Sequence, residues 1–395
     1  MSRHSPAGVP SRLLLVDDDD ALLRSVARYV RTFEDRWEVV TAPSADAAFG
    51  LLESSDFDVV ISDMHMPGLD GVRFLRQVQR DHPDTVRIVL TGGEDAVRAR
   101  QATGPAHQFL KKSASPRLVR RALGRARSMR GVLADPDLRA IVSGDNQLGS
   151  PPKLYLELNE ALAQPNVSVM QVGAIVERDV AMTARILQIV SSAFFSIPRP
   201  VSDVGEAIGY VGVNTIRALV LQEAFLRLFR ARAARFDIGG FQEHALRCVR
   251  LAGRMAVGAD EPSAAVLAAM THDVGQLVLA CRAPERWDEA AELAERDDLT
   301  LQTAEERVFG AGHAEVGAFL LGIWGLDQAI VDAVQYHHRR PPGETVPFDA
   351  CAVVRLANRL VEDPEADVPG SLAGLPAVEQ GIERWRRLAR SDQDS

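Results

Sequence analysis

A short apolar run that ends on a carboxylate decides the fold of the N-terminal part of this chain. With its flanks it is Asp56-Phe57-Asp58-Val59-Val60-Ile61-Ser62-Asp63-Met64-His65-Met66-Pro67-Gly68. The β-branched residues favour a strand, and Pro67-Gly68 favours a turn directly after it. An unbroken apolar strand is typical of a parallel sheet covered on both faces, which keeps functional residues at the carboxyl ends of its strands. Asp63 has that position, although a single Asp there is equally well explained as a turn former or a helix cap.

Four further strands are predicted around this one. They cover residues 13–16, 37–41, 87–90 and 107–110. Strands that alternate with helices predict an α/β fold with a doubly wound, five-stranded parallel sheet. Because the carboxyl ends of parallel strands lie along one edge, residues that follow separate strands should gather there. These are Asp17, Asp18, Asp63, Thr91 and one of the lysines Lys111 and Lys112.

The residues expected at this edge suit phosphoryl transfer. Three carboxylates repel one another and therefore favour a hard cation between them, and Mg²⁺ prefers oxygen ligands. An aspartate can act as a nucleophile towards a phosphoryl group, whose oxygens a hydroxyl and an ammonium group can then hold. The alternative is that these residues only cap helices and form turns, but four separate strand ends would then have to agree by chance.

Residues 11–125 resemble a response-regulator receiver domain, which has a flavodoxin-like fold. The resemblance rests on the acidic pair after the first strand, the Ser-Asp-Met-His-Met-Pro-Gly segment, Thr91 with Gly92, and the lysine. It implies that Asp63 is the phosphorylation site and that a sensor histidine kinase supplies the phosphoryl group. It also implies Mg²⁺ binding by Asp17, Asp18, Asp63 and the backbone carbonyl of His65, catalysis by Thr91 and Lys112, and a reorientation of Phe109. Ser113 replaces the Pro that usually follows the family's lysine.

Composition limits the remaining choices. The chain has 395 residues, enough for two or three domains, and a net charge of -9, which argues against general nucleic-acid binding. Its three cysteines form no CxxC pair, so reduced thiols in a cytoplasmic protein are expected. Residues 1–10 are expected to be disordered and lack the apolar core of a signal peptide. No charge-free segment is long enough to predict a membrane span.

Residues 116–147 are predicted to form a connector helix and linker. A helical pattern covers 116–142 and carries six arginines between residues 117 and 130. Contact with nucleic acid or a membrane is one interpretation, but no aromatic residues are interleaved as in proteins that bind single strands. We favour a solvated signalling helix that partly pairs with a copy of itself, which would give a homodimer. Glycines and prolines between 143 and 152 indicate a domain break.

The rest of the chain has helical patterns and no strand pattern. This predicts an all-α domain over residues 148–365, followed by a tail at 366–395 with one short helix. Five of the nine histidines lie here, and one is followed by an aspartate. Imidazole and carboxylate groups on neighbouring helices are what a transition metal needs, although one such residue alone is most often a satisfied core group. The candidates are His244, His272, Asp273, His313, His337 and His338.

The order of these residues resembles the HD superfamily of metal-dependent phosphohydrolases, and residues 148–365 resemble its HDOD branch. The segments 271–275 (Thr-His-Asp-Val-Gly) and 313–317 (His-Ala-Glu-Val-Gly) carry this resemblance. Asn358 stands where active relatives have a closing Asp, and its neutral amide is a poorer ligand. Arg339 and Arg340 follow the histidine pair, and no Gly-Tyr-Pro element is present. These departures predict a vestigial metal site and argue against a bound transition metal.

Together these patterns predict a two-component response regulator. Phosphorylation of Asp63 would control a non-catalytic HDOD output domain that binds a partner protein or a nucleotide. The alternative is an enzyme, a receiver-regulated metal-dependent phosphohydrolase acting on a nucleotide or phosphodiester, and the five histidines retained in order support it. A DNA-binding regulator has only the arginine-rich connector in its favour.

Overall fold

The chain divides into two compact units in the computed structural model. They are Met1–Pro151 together with Phe319–Leu326, and Pro152–Ala318 together with Asp327–Ser395. The structure describes residues 10–33, 37–92, 105–133, 138, 141–142, 151–164, 166–192, 195, 197, 199, 201–229, 232–259, 261–341 and 347–391. The predicted disorder of residues 1–9 and most of the predicted linker at 134–150 therefore lie outside the described residues.

Strands and helices alternate in the first unit. In chain order they are β1 (Ser11–Val16), α1 (Asp20–Val30), β2 (Trp37–Ala42), α2 (Ala45–Ser54), β3 (Val59–Asp63), α3 (Gly71–Asp81), β4 (Val86–Thr91), β5 (Gln108–Lys111) and α4 (Pro116–Val132). Side chains fix three of the helix starts, because Asp19, Ser44 and Asp70 accept hydrogen bonds from the first-turn amides of α1, α2 and α3.

The five strands form one parallel sheet in the order β2-β1-β3-β4-β5. Alternate residues of each strand enter two separate cores, one on each face. On β3, Val59 and Ile61 pack with α1 and α4, whereas Val60 packs with α2 and α3. This confirms the predicted flavodoxin-like, doubly wound fold, and it explains why the inner strands β1, β3 and β4 carry apolar runs without alternation.

Helix α4 is shorter than the pattern over 116–142 predicted. It ends at Val132, and Leu133 has extended backbone with φ -107° and ψ 104°. Gly131, a poor helix former, directly precedes this end. The apolar face of α4 packs on the sheet through Val119, Ala122, Leu123 and Ala126. That face is therefore not available for pairing with a second copy of the chain.

The described residues of the second unit form helices and no strands, as predicted for an all-α domain. The helices that begin in this unit are α5 (Lys153–Leu162), α6 (Val169–Val176), α7 (Val180–Val190), α8 (Val204–Val211), α9 (Val213–Leu228), α10 (Ile238–Met255), α11 (Pro262–Thr271), α12 (Val274–Arg282), α13 (Pro284–Asp297), α14 (Leu301–Phe309), α15 (His313–Ile323), α16 (Gln328–Gln335), α17 (Ala350–Glu362), α18 (Gly370–Ala373) and α19 (Pro376–Ser391).

Among the described residues, one stretch, in the second unit, is long and apolar enough to pass a length and composition test for a membrane span. It is Pro262–Arg282, which comprises α11 and α12, and 83% of its apolar window is buried inside the fold. The bent pair α8 and α9 passes the same test only if it is counted as a single span. The long stretch carries Asp273 in its middle, at the break between α11 and α12. Its apolar residues are accounted for by the core of this unit.

Close backbone approach explains a glycine beside this break. A Cβ atom on Gly275 would lie 2.0 Å from the carbonyl oxygen of His313 and 2.9 Å from the amide of Gly317. Contacts this short to backbone atoms do not occur in folded proteins, so a side chain at 275 would push the start of α12 away from the start of α15. Gly275 thus lets these two helix starts meet.

Candidate functional site

The carboxyl edge of the sheet in the first unit places a lysine between two buried carboxylates. Lys112 follows β5, and its Nζ lies 2.9 Å from Oδ2 of Asp17 and 2.9 Å from Oδ2 of Asp63. Asp17 follows β1 and Asp63 ends β3, and the two side chains are almost entirely buried. The other Asp63 oxygen, Oδ1, accepts a hydrogen bond from the amide of Met64 at 2.7 Å. One oxygen of Asp63 therefore faces a cation while the other holds the carboxylate in place.

Electrostatics at this edge suit a cation bound by oxygen atoms. Burial raises the pKa of Asp17, although a hydrogen bond from the Asp19 amide and the nearby Lys112 act against the rise. Burial alone would lower the pKa of Lys112, but its hydrogen bonds to Asp63 and Asp17 outweigh burial and raise the pKa. Asp18 is exposed beside them, and the three aspartates bring carboxylate oxygens within 4.8 Å of one another. This donor set fits Mg²⁺, which takes carboxylates together with water.

The other residues predicted for this edge lie at neighbouring strand ends. Thr91 ends β4, is buried, and donates its hydroxyl to the carbonyl of Leu110 at 3.4 Å. Phe109 is partly buried and packs with the core between the sheet, α2 and α3. His65 is exposed, two residues after Asp63. A Cβ atom on Gly71 would lie 1.8 Å from the carbonyl oxygen of Asp63, so the start of α3 closes directly on the strand end.

In the second unit, the predicted histidines meet around one aspartate. Asp273 lies at the break between α11 and α12 and is 8% exposed. Its Oδ2 lies 3.3 Å from Nε2 of His272 and 3.6 Å from Nε2 of His244 on α10. Its Oδ1 lies 3.2 Å from Nε2 of His313 at the start of α15 and 3.6 Å from Nε2 of His337 after α16. One carboxylate thus separates two groups of imidazoles.

We call these groups the Oδ2 half and the Oδ1 half. In the Oδ2 half, the Nε2 atoms of His244 and His272 lie 3.1 Å apart. In the Oδ1 half, Nε2 of His313 lies 3.3 Å from that of His337 and 2.9 Å from that of His338. Asp273, His313, His337 and His338 together offer four ligand atoms within 4.8 Å of one another. Three imidazoles and one carboxylate make a complete ligand set for a transition metal.

Hydrogen bonds at Nδ1 fix which ring nitrogen faces the Asp273 carboxylate. Nδ1 of His272 lies 2.9 Å from the carbonyl oxygen of Ala269, and Nδ1 of His337 lies 2.6 Å from that of Val334. Nδ1 of His313 lies 2.6 Å from Oε2 of Glu305, a carboxylate that is completely buried. Each of these rings therefore donates Nδ1–H and presents Nε2 to the other imidazoles and to Asp273. Metal-binding histidines are oriented in this way by their outer partners.

Charges in this cluster are strongly coupled. Burial opposes protonation of His313, but Glu305 and Asp273 outweigh burial and raise its pKa to about 10. Burial lowers the pKa of His337 to about 4 and that of His338 to about 2. Burial also acts against ionisation of Asp273, but hydrogen bonds and charge from the surrounding histidines hold its pKa well below the usual range. Protons thus take the place of a cation in the cluster, because lone pairs facing one another at about 3 Å need a positive charge between them.

Two family models match the chain in consecutive segments. The model of the response regulator receiver domain matches residues 13–123, and the model of the HDOD domain matches residues 148–340. The chain is a receiver domain joined to an HDOD domain. This combination identifies it as a response regulator with an HDOD output domain.

Relatives and solved structures resemble parts of this arrangement. An uncharacterized protein of Treponema pallidum is 25% identical over 259 residues, which cover 62% of this chain and 48% of that protein. The transcriptional regulatory protein GlrR of Escherichia coli is 33% identical over 166 residues, which cover 41% of this chain and 35% of GlrR. The chain spans less than half the length of these curated relatives. The structure of a putative signal transduction protein from Marinobacter aquaeolei matches in fold, with a TM-score of 0.54, 18% identity and coverage of 81% of this chain and 82% of that one.

Asn358 of the HDOD domain lies in the Oδ2 half. Its Oδ1 is 2.8 Å from Nε2 of His244, and its Nδ2 donates to Oε1 of Glu362 at 3.2 Å. The amide thus stands at the position expected for the closing Asp. Its neighbour Glu362 has a raised pKa, chiefly because of burial and then because of the Asp273 charge. The Oδ2 half therefore lacks the second carboxylate that the Asp would bring.

Three residues of the HDOD cluster were not predicted from the sequence. Glu305 holds His313 and precedes it by eight residues, a spacing with no recognisable pattern. Cys248 lies 3.5 Å from Nε2 of His244 through its sulfur, and Glu362 contacts Asn358. Each of these two follows its partner by four residues on a helix, which places both side chains on one face. That spacing was the available signal.

A cleft of about 890 Å³ opens beside the HDOD histidines. Its lining includes His244, Asp273, His313 and His338, so the cluster is open to ligands. Aromatic and basic side chains also line the cleft, namely Phe236, Phe241, Trp287, Arg235, Arg339 and Arg359, together with the acidic side chains of Asp237, Glu306, Glu315 and Glu362. The Arg339 guanidinium is paired with the Glu315 carboxylate. This ion pair offsets the Arg339 charge beside the cluster.

Proposed function

We propose that this protein is a response regulator in which Asp63 accepts a phosphoryl group from a sensor histidine kinase. The observation that supports this proposal is the placement of Lys112, 2.9 Å from Oδ2 of both Asp63 and Asp17. An Asp63 oxygen would attack phosphorus, the P–N bond to the kinase histidine would break with its electron pair returning to that imidazole, and an acyl phosphate would form on Asp63. The kinase and the receiver would act in the cytoplasm.

Residues at the sheet edge would have different roles in this phosphoryl transfer. Asp17, Asp18, Asp63 and the carbonyl of His65 would hold Mg²⁺, which offsets charge on the transferred oxygens when it is bound. The Lys112 ammonium would stabilise the new acyl phosphate and keep Asp17 paired. The Thr91 hydroxyl would exchange its weak bond to Leu110 for a phosphoryl oxygen. Phe109, on the neighbouring strand, would change its packing as a result.

Labelling with a small phosphoryl donor tests the site directly. Acetyl phosphate with Mg²⁺ should label the intact chain once, and Asp63→Asn should abolish the label. Asp46→Asn, which changes an exposed carboxylate in the first turn of α2, should leave the labelling unchanged. Persistent labelling of Asp63→Asn would contradict the assignment of the phosphorylation site.

We further propose that the HDOD domain is a regulatory output domain that binds a divalent transition metal and a ligand in the adjoining cleft. The four-ligand Oδ1 half supports the metal, and the open cleft supports the ligand. The ligand would be a partner protein or a nucleotide. Turnover is not expected, because the neutral Asn358 amide stands where active relatives have a carboxylate and, unlike a carboxylate, cannot accept a proton from an attacking water.

A phosphohydrolase is the second candidate for the HDOD domain. The observation that favours it is the access of His313, His338 and Asp273 to a cleft with guanidinium groups in its wall, since guanidinium groups pair with phosphate. Such an enzyme would hydrolyse a nucleotide or a phosphodiester. Activity on such substrates by the native chain would favour this candidate, whereas activity that is created only by Asn358→Asp would mark a lapsed enzyme.

Metal analysis of the purified chain tests the output proposal. Elemental mass spectrometry should find at least one equivalent of a transition metal in the native chain and much less in Asp273→Ala. Glu306→Gln, which removes an exposed carboxylate of the cleft wall, should retain the metal. A folded native chain that binds no added Zn²⁺, Mn²⁺ or Fe²⁺ would contradict metal binding and leave a purely protein-based regulatory site.

A further inference from the structure

A buried cysteine lies at the Oδ2 half of the HDOD cluster. Cys248 is completely buried on α10, one helical turn after His244. Its sulfur lies 3.5 Å from Nε2 of His244 and 3.9 Å from Oδ1 of Asn358. His244, Cys248 and His272 bring three ligand atoms within 4.8 Å of one another. The thiol therefore lies between the imidazoles and the side-chain amide of Asn358.

We infer that Cys248 supplies a thiolate ligand that replaces the missing carboxylate, so that the Oδ2 half is a separate, sulfur-containing metal site. Its ligands would be His244, His272, Cys248 and the Oδ2 atom of Asp273. This inference rests on the proposal that the HDOD cluster binds a transition metal. It adds a second ion of different chemistry, because the Oδ1 half has only nitrogen and oxygen ligands.

Four of the six distances between the ligand atoms are close to the edges of a metal-centred tetrahedron. With Zn–N of about 2.0–2.1 Å and Zn–S of about 2.3 Å, tetrahedral ligands lie about 3.4 Å apart for two nitrogens and about 3.6 Å apart for nitrogen and sulfur. The nitrogens of His244 and His272 are 3.1 Å apart, and the His244 nitrogen is 3.5 Å from the Cys248 sulfur. The Asp273 oxygen is 3.3 Å and 3.6 Å from the two nitrogens.

Charge and ligand type both favour this assignment. Replacing a closing carboxylate by Asn358 removes one negative charge from the Oδ2 half, and a thiolate at Cys248 restores it. A thiolate is also a softer ligand than a carboxylate, so the site would select Zn²⁺ or Fe²⁺ over Mn²⁺ and Mg²⁺. The spacing of Cys248 from His244 also fits, because residues four apart on a helix share a face and can bind the same ion.

Cobalt substitution can detect the sulfur ligand without any enzymatic assay. The full-length chain would be stripped of metal under reducing, oxygen-free conditions and titrated with Co²⁺. A thiolate bound to Co²⁺ gives an intense charge-transfer band in the near ultraviolet, whereas nitrogen and oxygen ligands do not. The native chain should show this band and bind two equivalents of Co²⁺.

Cysteine variants assign the band to one residue. Cys248→Ser should lose the band and bind one equivalent of Co²⁺, which the Oδ1 half retains. Cys281→Ser and Cys351→Ser should keep the band, because these thiols lie outside the described metal-ligand groups. If Cys248→Ser does not fold, the native chain and the two control variants still identify the sulfur ligand. A band that survives both control substitutions must come from Cys248, the remaining cysteine.

The outcomes separate this inference from the broader proposal. Co²⁺ bound by the native chain without a charge-transfer band would overturn the thiolate ligand and leave metal binding at the Oδ1 half intact. A band that persists in Cys248→Ser would likewise overturn it. A folded native chain that binds no Co²⁺ at all would overturn both the thiolate ligand and the metal-binding output domain.

Discussion

Glu305 accepts hydrogen bonds from both the backbone amide and the ring of His313, with its Oε2 atom 2.6 Å from each nitrogen. Both residues are buried, and no solvent competes for the carboxylate. The contact holds the ring in the tautomer that directs Nε2 at Asp273. A residue outside the ligand set therefore prepares the Oδ1 half for a cation.

Removing the charge of Glu305 should weaken metal binding. Glu305→Gln keeps the size of the side chain but makes a weaker acceptor for the His313 ring, so the affinity for Zn²⁺ should fall by about 10–100-fold. Isothermal titration of the intact chain measures this affinity. The neighbouring variant Glu306→Gln, at an exposed position, should bind Zn²⁺ as the native chain does. Equal affinities for both variants would show that Glu305 has no role in orienting His313.

Loss of the Lys112 ammonium should slow phosphorylation of Asp63. Lys112→Met removes a charged donor from the place where negative charge develops, and the rate of labelling by acetyl phosphate should fall about 10²-fold. Mg²⁺ binding should persist, because the aspartates remain. Lys153→Met, which removes an exposed lysine from α5, should label at the native rate. A native rate for Lys112→Met would remove the lysine from the transfer step.

A side chain at residue 275 should disrupt the HDOD domain. In Gly275→Ala the new Cβ would meet the carbonyl of His313 at 2.0 Å, and overpacking against backbone costs about 3 kcal/mol or more. Gly253→Ala is a matched control, because no atom lies within 4 Å of its added Cβ and the residue is in a helix interior. That control should gain about 0.5–1 kcal/mol. Urea unfolding followed by circular dichroism compares the two, and equal midpoints would contradict the close approach.

Acid should destabilise the receiver domain through His107. His107 is buried against the equally buried Arg87, with Nε2 of the ring 2.7 Å from Nη2 of the guanidinium. Burial, and then the Arg87 charge, hold the pKa of His107 well below its usual range. His107 therefore binds a proton near pH 6.5 in the unfolded chain but stays neutral at this pH in the folded domain. The free energy of unfolding is therefore unaffected by His107 protonation above that pH, and it decreases as the pH falls below it.

Hydrogen exchange of the β4 amides measures this loss. Between pH 7.5 and 5.5, protection factors corrected for intrinsic exchange should fall about tenfold more in the native chain than in His107→Gln, which does not titrate. Parallel pH dependence in the two chains would mean that His107 does not contribute.

Local patterns in the sequence were enough to predict the receiver fold. Asp63, Thr91 and Lys112 each follow an apolar strand, and a parallel sheet brings strand ends together whatever the helices between them contain. The end of helix α4 was not predictable in the same way. Its helical pattern continues past Val132, and the break depends on Gly131 and on the burial of Leu133, which is a tertiary effect.

The HDOD cluster shows where motif order stops being informative. Order alone led to His272, Asp273, His337 and His338, because these two doublets are distinctive. Glu305 carries no motif, and its role follows only from its contact with His313. For Cys248, the available signal is its spacing of four residues from His244 on α10. Asn358 was predicted to be a departure from the ligand set, but the sequence could not show that a thiol lies 3.9 Å from its oxygen.

The position of Asp273 between the two halves has a thermodynamic consequence. Its carboxylate offers one oxygen to each half, so both ions would depend on the same side-chain torsion. An ion that orders this torsion removes that entropic cost for the second ion, and reciprocity requires the second to favour the first by the same factor. Mutual repulsion of the two ions acts in the opposite direction, and a negatively charged ligand in the cleft would reduce it. Binding of the ligand and binding of both metal ions would then be cooperative. The fraction of the output domain that is fully loaded would rise steeply with ligand concentration.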